Sequence, residues 1–371
     1  MPATDFGALT ALQKREWALS VAMQGRDDNF FMSNGFMSSN TNDTSKPIQR
    51  VTELTKTDKG LECVLPLVQD LTGGGVVGDN QLEGNEEQLF ADTQTIRIDQ
   101  IRNGVRSKGK MSEQATVIRF RAMGKDRLAF WIADVIDELL FLTAAGRAYT
   151  LNTDGSTRGT SQLPQLSFAA DVAAATTNRI KYAGTATTEA TLTASDTMTW
   201  DLVTTLKATA KRKRVRPINA GGKGYYILVL STEQCRDLEK TSDYKTLTAQ
   251  AMPRGMDNPL FNNAKKIIND VVIYDHQKTF NTLGATSGSA KWGAGSNVDG
   301  AQAMLMGAQA LGFAQLGPPE MEESDNTDYK NRPGIGIGRI IGMLKPQYKS
   351  RYDSQSREDY GIVTLKTAAA A

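Results

Sequence analysis

TQTIRIDQI, residues 93–101, is the run of sequence that decides the fold, because its polar and apolar residues alternate with a period of two. Before it stand GGGVVG at residues 73–78 and the acidic run DNQLEGNEE at residues 79–87, which have too few apolar side chains to pack a core. After it comes a long amphipathic segment, residues 112–145. This order is typical of an extended arm and not of an active site.

Two segments predict a hairpin. Residues 93–101 predict one strand, and LECVLPLV at residues 61–68 predicts its opposing strand, with Pro66 favouring an edge or irregular position. Together they predict a long two-stranded tongue from Leu54 to about Lys108. A two-stranded hairpin is marginally stable at best in water. The tongue therefore needs another surface, and a neighbouring copy of the same chain is the most direct supplier.

Residues 112–145 predict one long helix with Ser112 as its N-cap and Gly146 as its C-cap. At 1.5 Å per residue it is roughly 50 Å long. A core helix of a large α/β enzyme is the alternative, but the position directly after the tongue favours the rigid element of an arm. Its apolar residues recur at helical spacings, at Val117, Phe120, Leu128, Trp131, Val135, Leu139 and Leu142.

Composition describes an ordinary soluble protein of about two domains. The chain has 371 residues, 40% hydrophobic and 23% charged, and a formal net charge of +2, which lacks the basic excess of a dedicated DNA-binding protein. No signal-peptide pattern and no apolar run of membrane-spanning length are present. We therefore expect a protein that is made in the cytoplasm and stays there, without membrane contact.

The residues of enzyme chemistry are scarce. His276 is the only histidine and stands at the end of a predicted strand, and Cys63 and Cys235 are the only cysteines. A zinc site, a Cys/His pair or a Ser/His/Asp triad would have to use them, and no ligand spacing surrounds any of the three. We expect two buried thiols, no catalytic residue, no cofactor and no metal.

The second half predicts a compact α/β unit. Ser195 or Asp196 caps a helix that ends in the basic run KRKRVR at residues 211–216, and YYILVL at residues 225–230 predicts a central strand. A short helix capped by Ser231 or Thr232 follows, and further strands are predicted at residues 271–274, 302–307, 334–344 and 360–365. Residues 151–194 predict a loop-dominated segment. The pattern indicates one discontinuous domain that carries an inserted compact one.

Two glycine runs do not match nucleotide-binding motifs. GIGIG at residues 334–338 has the wrong spacing for G-x-G-x-x-G and precedes a strand, and GGKG at residues 221–224 lacks the Lys-Ser/Thr pair of a P-loop. Glycine in a strand more often permits a close backbone approach or a bend.

Two charge runs have alternative explanations. The basic run at residues 211–216 suits the dipole of a helix C-terminus, or it pairs with an acidic loop of a neighbour or with packaged phosphate. The acidic run EMEESDNTD at residues 320–328 does not match an EF-hand loop and predicts a solvated or intersubunit loop.

Several motifs in order resemble one family. LTGGGVVGD (71–79), LEGNEE (82–87) and IDQIRNGV (98–105), then YILVLS (226–231), NPLF (258–261), LMGAQA (305–310), DYKNR (328–332) and EDYGIVT (358–364) are similar to the major capsid proteins of tailed bacteriophages related to the coat protein of phage N4. The likeness covers most of residues 50–146 and 225–367.

The resemblance implies an α+β protein of the HK97 capsid fold. Its parts would be an N-terminal arm (1–50), an E-loop hairpin (51–110), a P-domain (111–194 and 335–371, with the spine helix at 112–145) and an A-domain (195–334). It also implies hexamers and pentamers of an icosahedral shell around non-specifically packaged double-stranded DNA. A separate scaffolding protein, a portal and a decoration protein are the implied partners, with assembly in the cytoplasm of the bacterial host.

We therefore predict a structural shell protein of the virion and no enzyme. The alternative is a soluble α/β enzyme or nucleotide-binding protein whose tongue swaps within a dimer. The predicted intersubunit contacts are the charged and glycine residues of the tongue and of the two charge runs: Gly74, Gly75, Asp79, Glu83, Glu86, Glu87, Arg97, Arg102, Arg212, Lys213, Arg214, Glu322 and Asp328.

Overall fold

The structure is a computed structural model that describes residues 29–54, 60–68, 71, 73–111, 120–220, 222–251, 266–324, 329–349 and 356–369. The helix predicted within residues 9–23, the N-cap predicted at Ser112 and the predicted contact residue Asp328 lie outside these residues.

The described residues form five α-helices and sixteen strands. The helices are α1 (Phe30–Ser33), α2 (Phe120–Ala145), α3 (Trp200–Arg212), α4 (Thr232–Lys240) and α5 (Ser242–Ala251). The strands are β1 (Ile48–Val51), β2 (Glu62–Val68), β3 (Ala91–Arg97), β4 (Asp99–Arg106), β5 (Ile180–Tyr182), β6 (Ile218–Ala220), β7 (Lys223–Leu230), β8 (Lys266–Ile268), β9 (Val271–Asp275), β10 (Gly300–Met306), β11 (Leu311–Gln315), β12 (Glu320–Ser324), β13 (Gly334–Leu344), β14 (Gln347–Lys349), β15 (Arg357–Asp359) and β16 (Ile362–Ala368).

Helix α2 is the predicted long helix, and it lies against β13, β4 and β10. Leu128, Val135 and Leu139 are buried as the spacing predicts, and from Leu139 to Ala145 every residue is buried, so this end of the helix lies inside the protein. Gly146 ends the helix at φ +67°, with its N–H on the Thr143 carbonyl (3.1 Å) and the Arg147 N–H on the Leu142 carbonyl (2.9 Å). This is a Schellman cap, and it confirms the predicted C-terminus.

Two sheets flank the helix. The five-stranded sheet is built on β13, which pairs with β4 along one edge and with β11 and β12 along the other, and β1 adds to β11 in parallel. The seven-stranded sheet has the order β5-β16-β10-β7-β9-β8, with β6 on the first residues of β7. Strand β7 is central in this sheet, as its apolar run YYILVL predicts, because β10 and β9 pair with it on opposite sides.

The predicted strand at residues 93–101 is in fact two strands. Strands β2 and β3 form the predicted antiparallel hairpin, with Glu62 opposite Arg97 and Val68 opposite Ala91. After Ile98, however, β4 leaves the hairpin and pairs with β13 over eight residues. The prediction that the tongue continues to Lys108 is therefore wrong, since residues 99–106 belong to the five-stranded sheet.

Three further predictions need correction. Helix α3 begins at Trp200 after Thr199, and not at Ser195 or Asp196, because the Asp196 carboxylate accepts hydrogen bonds from the backbone N–H and the hydroxyl of Thr193 (both 2.8 Å). Cys63 is only half-buried, whereas Cys235 is buried as predicted. Strands β1, β11 and β12 were not predicted from the sequence.

The two sheets cross the predicted domain limits in both directions. Strands β11 and β12, which fall in the predicted A-domain, lie in the sheet of β13, whereas β5 and β16, which fall in the predicted P-domain, lie beside β10 and β7. The domain limits stay a prediction.

A close backbone approach occurs in β13 at Gly342, outside the GIGIG run at residues 334–338 for which the sequence favoured it. A Cβ on Gly342 would lie 2.1 Å from the carbonyl oxygen of Arg97, where the β2–β3 hairpin meets the sheet. At Gly336 the nearest atoms to such a Cβ are backbone oxygens at 3.7 and 4.0 Å.

We therefore expect Gly342→Ala to destabilise the subunit. The methyl group would force the backbone at Arg97 away from β13, and overpacking of this kind costs typically about 1–3 kcal/mol. Thermal unfolding measures the loss, with Gly336→Ala as the matched control in the same strand. Equal unfolding temperatures for the two variants would contradict the close approach at Gly342.

Candidate intersubunit surfaces

The β2–β3 hairpin has no core of its own. Burial alternates along β2 between half-buried and exposed residues, and Leu61, Val64 and Val68 are 75%, 57% and 57% exposed. Its connecting segment, residues 73–90, which we call the tip, exposes Val77, Leu82 and Leu89 by 77%, 59% and 63%. Apolar side chains exposed in this number along one element indicate a surface that another molecule covers.

Six of the predicted contact residues lie together in the tip. Gly74, Gly75, Asp79, Glu83 and Glu86 are exposed and Glu87 is half-buried. The backbone turns back through Gly75, Gly78 and Gly84, all at φ between +65° and +88°. The Glu87 carboxylate accepts the N–H of Gly73 at 2.6 Å, and the Glu86 carboxylate accepts that of Gly84 at 2.7 Å, so these acids also hold the tip in shape.

Strand β3 is fastened along its length to other parts of its own chain. Asp92 accepts the Lys349 N–H (3.1 Å) and pairs with Arg357 (3.2 Å), and the Gln94 side chain accepts the N–H of Gln347 at 2.8 Å. Arg97, a predicted intersubunit contact, pairs with Asp171 (3.0 Å). The structure thus gives Arg97 a role within the chain, and its role between chains stays a prediction.

Arg102 and Glu322, two more predicted contacts, lie on opposite walls of a groove on the five-stranded sheet. Gly338 of β13 pairs with Arg102 of β4 on one side and with Glu320 of β12 on the other. Two residues along β13, Gly336 pairs in the same way with Gly104 and with Glu322. The groove, which we call the sheet groove, therefore has one basic wall, a glycine floor and one acidic wall.

The predicted basic cluster is the end of α3. Lys211 and Arg212 stand in the last turn and Lys213 is the C-cap, so all three cations suit the negative end of the helix dipole. Arg212 and Arg214 are exposed, and Arg214 has φ +56°.

A buried carboxylate holds the N-terminal arm against the long helix, and the sequence analysis missed it. Asp137 of α2 is 3% exposed, and its Oδ2 accepts the Phe30 N–H at 2.7 Å, at the start of α1. The Phe30 ring packs at a tilt against the rings of Phe141 and His276, with centroid distances of 5.7 and 4.6 Å. His276 thereby has a packing role.

Both titratable groups of this contact are shifted by burial. Burial raises the pKa of Asp137 to about 6, against the opposing effects of the Phe30 N–H and the Lys278 charge. Burial, with the Lys278 charge adding to it, lowers the pKa of His276 to about 4. Near neutral pH the contact therefore holds an ionised Asp137 and an uncharged His276.

Among the described residues, no group of three or more His, Cys, Asp or Glu side chains is placed to hold a metal ion. In the same part of the chain, no helix has the length and apolar character needed to cross a membrane.

Comparison with known proteins identifies the class. A family model described as phage capsid protein matches residues 5–371. The chain is 40% identical to the major capsid protein of Pseudomonas phage KPP25 over 376 residues, which cover 99% of this chain and 98% of that protein. The capsid of Ralstonia phage GP4 has a similar structure, with a TM-score of 0.75 and 26% identity, over 93% of this chain and 92% of that one.

A second solved structure agrees in fold. The capsid asymmetric unit of cyanophage Pam1 superposes with a TM-score of 0.72 at 20% identity, over 93% of each chain. Two sheets around a long helix, with a projecting hairpin, thus define a shell-forming protein of the HK97 type. The chain belongs to the phage capsid protein family and functions as a major capsid protein of a phage. The alternative of an enzyme with a swapped hairpin has no support.

The Asp137 contact predicts a pH dependence of stability. Because the folded pKa is raised from 3.8 to about 6, the folded state binds the proton more tightly, and stability is lost as the pH rises through about 6. The full difference corresponds to roughly 3 kcal/mol, lost between the unfolded pKa of 3.8 and the folded pKa of about 6, and about half of it is lost above pH 5. Asp137→Asn keeps an acceptor oxygen for the Phe30 N–H and cannot ionise, so its unfolding temperature should fall less than that of the wild type between pH 5 and about 7.5.

Asp126→Asn is the matched control, because Asp126 is an exposed aspartate about three turns away on the same helix. Its pH profile should follow that of the wild type. A wild-type profile that runs parallel to that of Asp137→Asn would show that Asp137 does not titrate in this range.

Proposed function

We propose that the chain assembles into hexamers and pentamers of an icosahedral shell that encloses non-specifically packaged double-stranded DNA. The observation that carries this proposal is the β2–β3 hairpin, whose apolar side chains are exposed on the single chain. Each copy would give one hairpin and receive one, so that a contact of ordinary size, about 1,600 Å² in total, repeats around a closed ring.

The proposal includes partners and a place of assembly. A separate scaffolding protein, a portal and a decoration protein would act with the chain, and assembly would take place in the cytoplasm of the bacterial host. No residue of the chain would be catalytic, and the shell would be held by packing and by charge pairs between subunits. The scarcity of His and Cys supports this view, since the chain has one histidine and two cysteines.

We further propose domain limits that follow the sheets. Residues 1–50 would be the N-terminal arm and the hairpin with its flanks the E-loop. The P-domain would contain α2 and the five-stranded sheet, and it would therefore gain β11 and β12. The A-domain would contain α3 to α5 and the seven-stranded sheet, and it would gain β5 and β16. The pairing of β16 with β10 over seven residues supports this division.

Shortening the tip tests the hairpin. Deletion of residues 73–84 should leave the subunit folded, because the hydrogen bonds of Asn80, Gln81 and Asn85 end within the tip, and assembly should be lost. Particle yield by negative-stain microscopy and circular dichroism of the soluble subunit measure the two effects. Gln88→Ala, an exposed change in the same segment, is the control that should assemble. Normal particles from the deletion would refute the assignment of the hairpin.

Removal of the basic cluster tests the charge pairs. Changing Arg212, Lys213 and Arg214 together to Ala should weaken assembly, because exposed ion pairs are worth only about 0–1 kcal/mol each but are repeated in every subunit of a lattice. Assembly of the wild type should depend markedly on salt, because such pairs are screened within about 10 Å at 0.1 M salt. Light scattering across a salt series measures assembly. The control removes two other exposed cations, Lys240 and Lys245. Normal assembly of the triple variant at every salt concentration would leave the cluster as a solvated helix end.

A further inference from the structure

Apart from Arg97, the last residue of β3, the hairpin carries only negative charge. Between Leu61 and Ile96 the chain has seven carboxylates and no Lys, Arg or His: Glu62, Asp70, Asp79, Glu83, Glu86, Glu87 and Asp92. Two in the strands are paired within the chain, Glu62 with Arg97 and Asp92 with Arg357. Four others lie in the tip. Whatever surface receives the tip must therefore supply positive charge, since like charges in contact are strongly unfavourable.

The sheet groove supplies that charge on the face of the sheet turned away from α2. Ile335 and Ile337 of β13 are buried in the core with Leu128 of α2. Because side chains alternate along a strand, Gly334, Gly336 and Gly338 face the other way. On that face Arg106 and Arg102 border the row of glycines, opposite Gly334 and Gly338, and the groove has a volume of about 780 Å³.

Arg102 and Arg106 are available to a partner. Both are exposed, and over the part of the chain that the structure describes neither side chain has a hydrogen bond or an ion pair. The stem of Arg102 lies across Gly338, since a Cβ on that glycine would be 3.2 Å from Arg102 Cγ. The guanidinium group is thus held beside the floor of the groove by packing of its stem.

The spacing of the carboxylates in the tip matches the spacing of the two arginines in β4. Arg102 and Arg106 are four residues apart in a strand, which is about 13 Å. In the tip, Asp79 and Glu83 are also four residues apart, between the turns at Gly78 and Gly84, and a chain spans at most about 14 Å over that length. Two carboxylates of the tip can therefore reach two arginines of one strand at the same time.

The floor and the far wall of the groove restrict how a segment enters. At Gly336 a Cβ would meet only backbone oxygens at 3.7 Å or more, so a partner backbone can lie flat there. Glu320 and Glu322 form the opposite wall and repel an acidic segment. An acidic tip is thus directed to the arginine side, and this repulsion selects one register.

We propose that the tip of one copy docks in the sheet groove of a second copy, with its carboxylates at Arg102 and Arg106 and its backbone over Gly336. This inference rests on the proposed function, in which each copy receives the hairpin of a neighbour, and it assigns the receiving surface. It also competes with the basic cluster at the end of α3 as the partner of the tip.

Exchange of the charges tests the docking. Arg102→Glu with Arg106→Glu should abolish assembly, and so should Asp79→Arg with Glu83→Arg. The chain that carries all four changes should assemble again, because every copy then gives a basic tip and receives it in an acidic groove. The control combines the tip changes with Arg212→Glu and Lys213→Glu, and it should not assemble. Circular dichroism and thermal unfolding of each soluble subunit confirm that the variants fold.

Cross-linking tests the same contact without a change of sign. In a Cys63→Ser background, Glu83→Cys with Arg106→Cys should give a ladder of disulfide-linked oligomers on a non-reducing gel of assembled particles. Glu83→Cys with Lys213→Cys should give none. A ladder only from the Lys213 pair, or particles without a ladder from either pair, would overturn the proposal.

Gly336→Phe gives a third measurement, because the ring would fill the floor where a partner backbone lies. Folded Gly336→Phe subunits should fail to assemble, whereas Gly336→Ala subunits should assemble. Failure of the docking is distinguishable from failure of the proposed function. If deletion of residues 73–84 blocks assembly while the four-fold charge exchange does not restore it in folded subunits, the hairpin joins copies through another surface. If the deletion assembles normally, the hairpin has no such role.

Discussion

A hairpin of two strands has two faces and no interior, and this constraint organises the rest of the structure. Several of its apolar residues remain exposed on a single chain, so its strands must be held by other elements of that chain. Asp92, Gln94 and Arg97 provide the hold through contacts with Arg357, Gln347 and Asp171. At the same place Gly342 lets the Arg97 backbone come into contact with β13. The tip can then depend on other molecules while the strands stay fixed.

The periodicity of apolar residues predicted the strands and the helix end in which burial alone sets the sequence pattern. The alternation in residues 61–68 and 93–97 predicted β2 and β3, and the helical spacing with Gly146 predicted the end of α2. The division at Ile98 could not be predicted, because the alternation continues unchanged through β4 while the pairing partner changes from β2 to β13. Strands β11 and β12 are five residues each, and their identity depends on pairing with β13, which is a long-range property of the chain.

The contact surfaces, too, are partly predictable from local sequence and partly dependent on long-range pairing. The charge of the tip is visible in sequence, and six predicted residues lie in it. The sheet groove is not visible, since Arg102 and Glu322 are brought to opposite walls only by β13 between them. Asp137 was missed because its partner, the N–H of Phe30, is 107 residues away. An acid among apolar residues of a helix is the one signal that could have indicated it.

The direct passage from β3 into β4 has a mechanical consequence. Only Ile98 separates the two strands, and β4 is bonded antiparallel to β13 from Asp99 opposite Ile341 to Arg106 opposite Gly334. A pull on the hairpin along this line would load those hydrogen bonds in shear, so that they resist together, whereas a pull across the strands would open them one after another. A subunit pulled along its hairpin would thus be loaded in the direction in which this pairing is strongest.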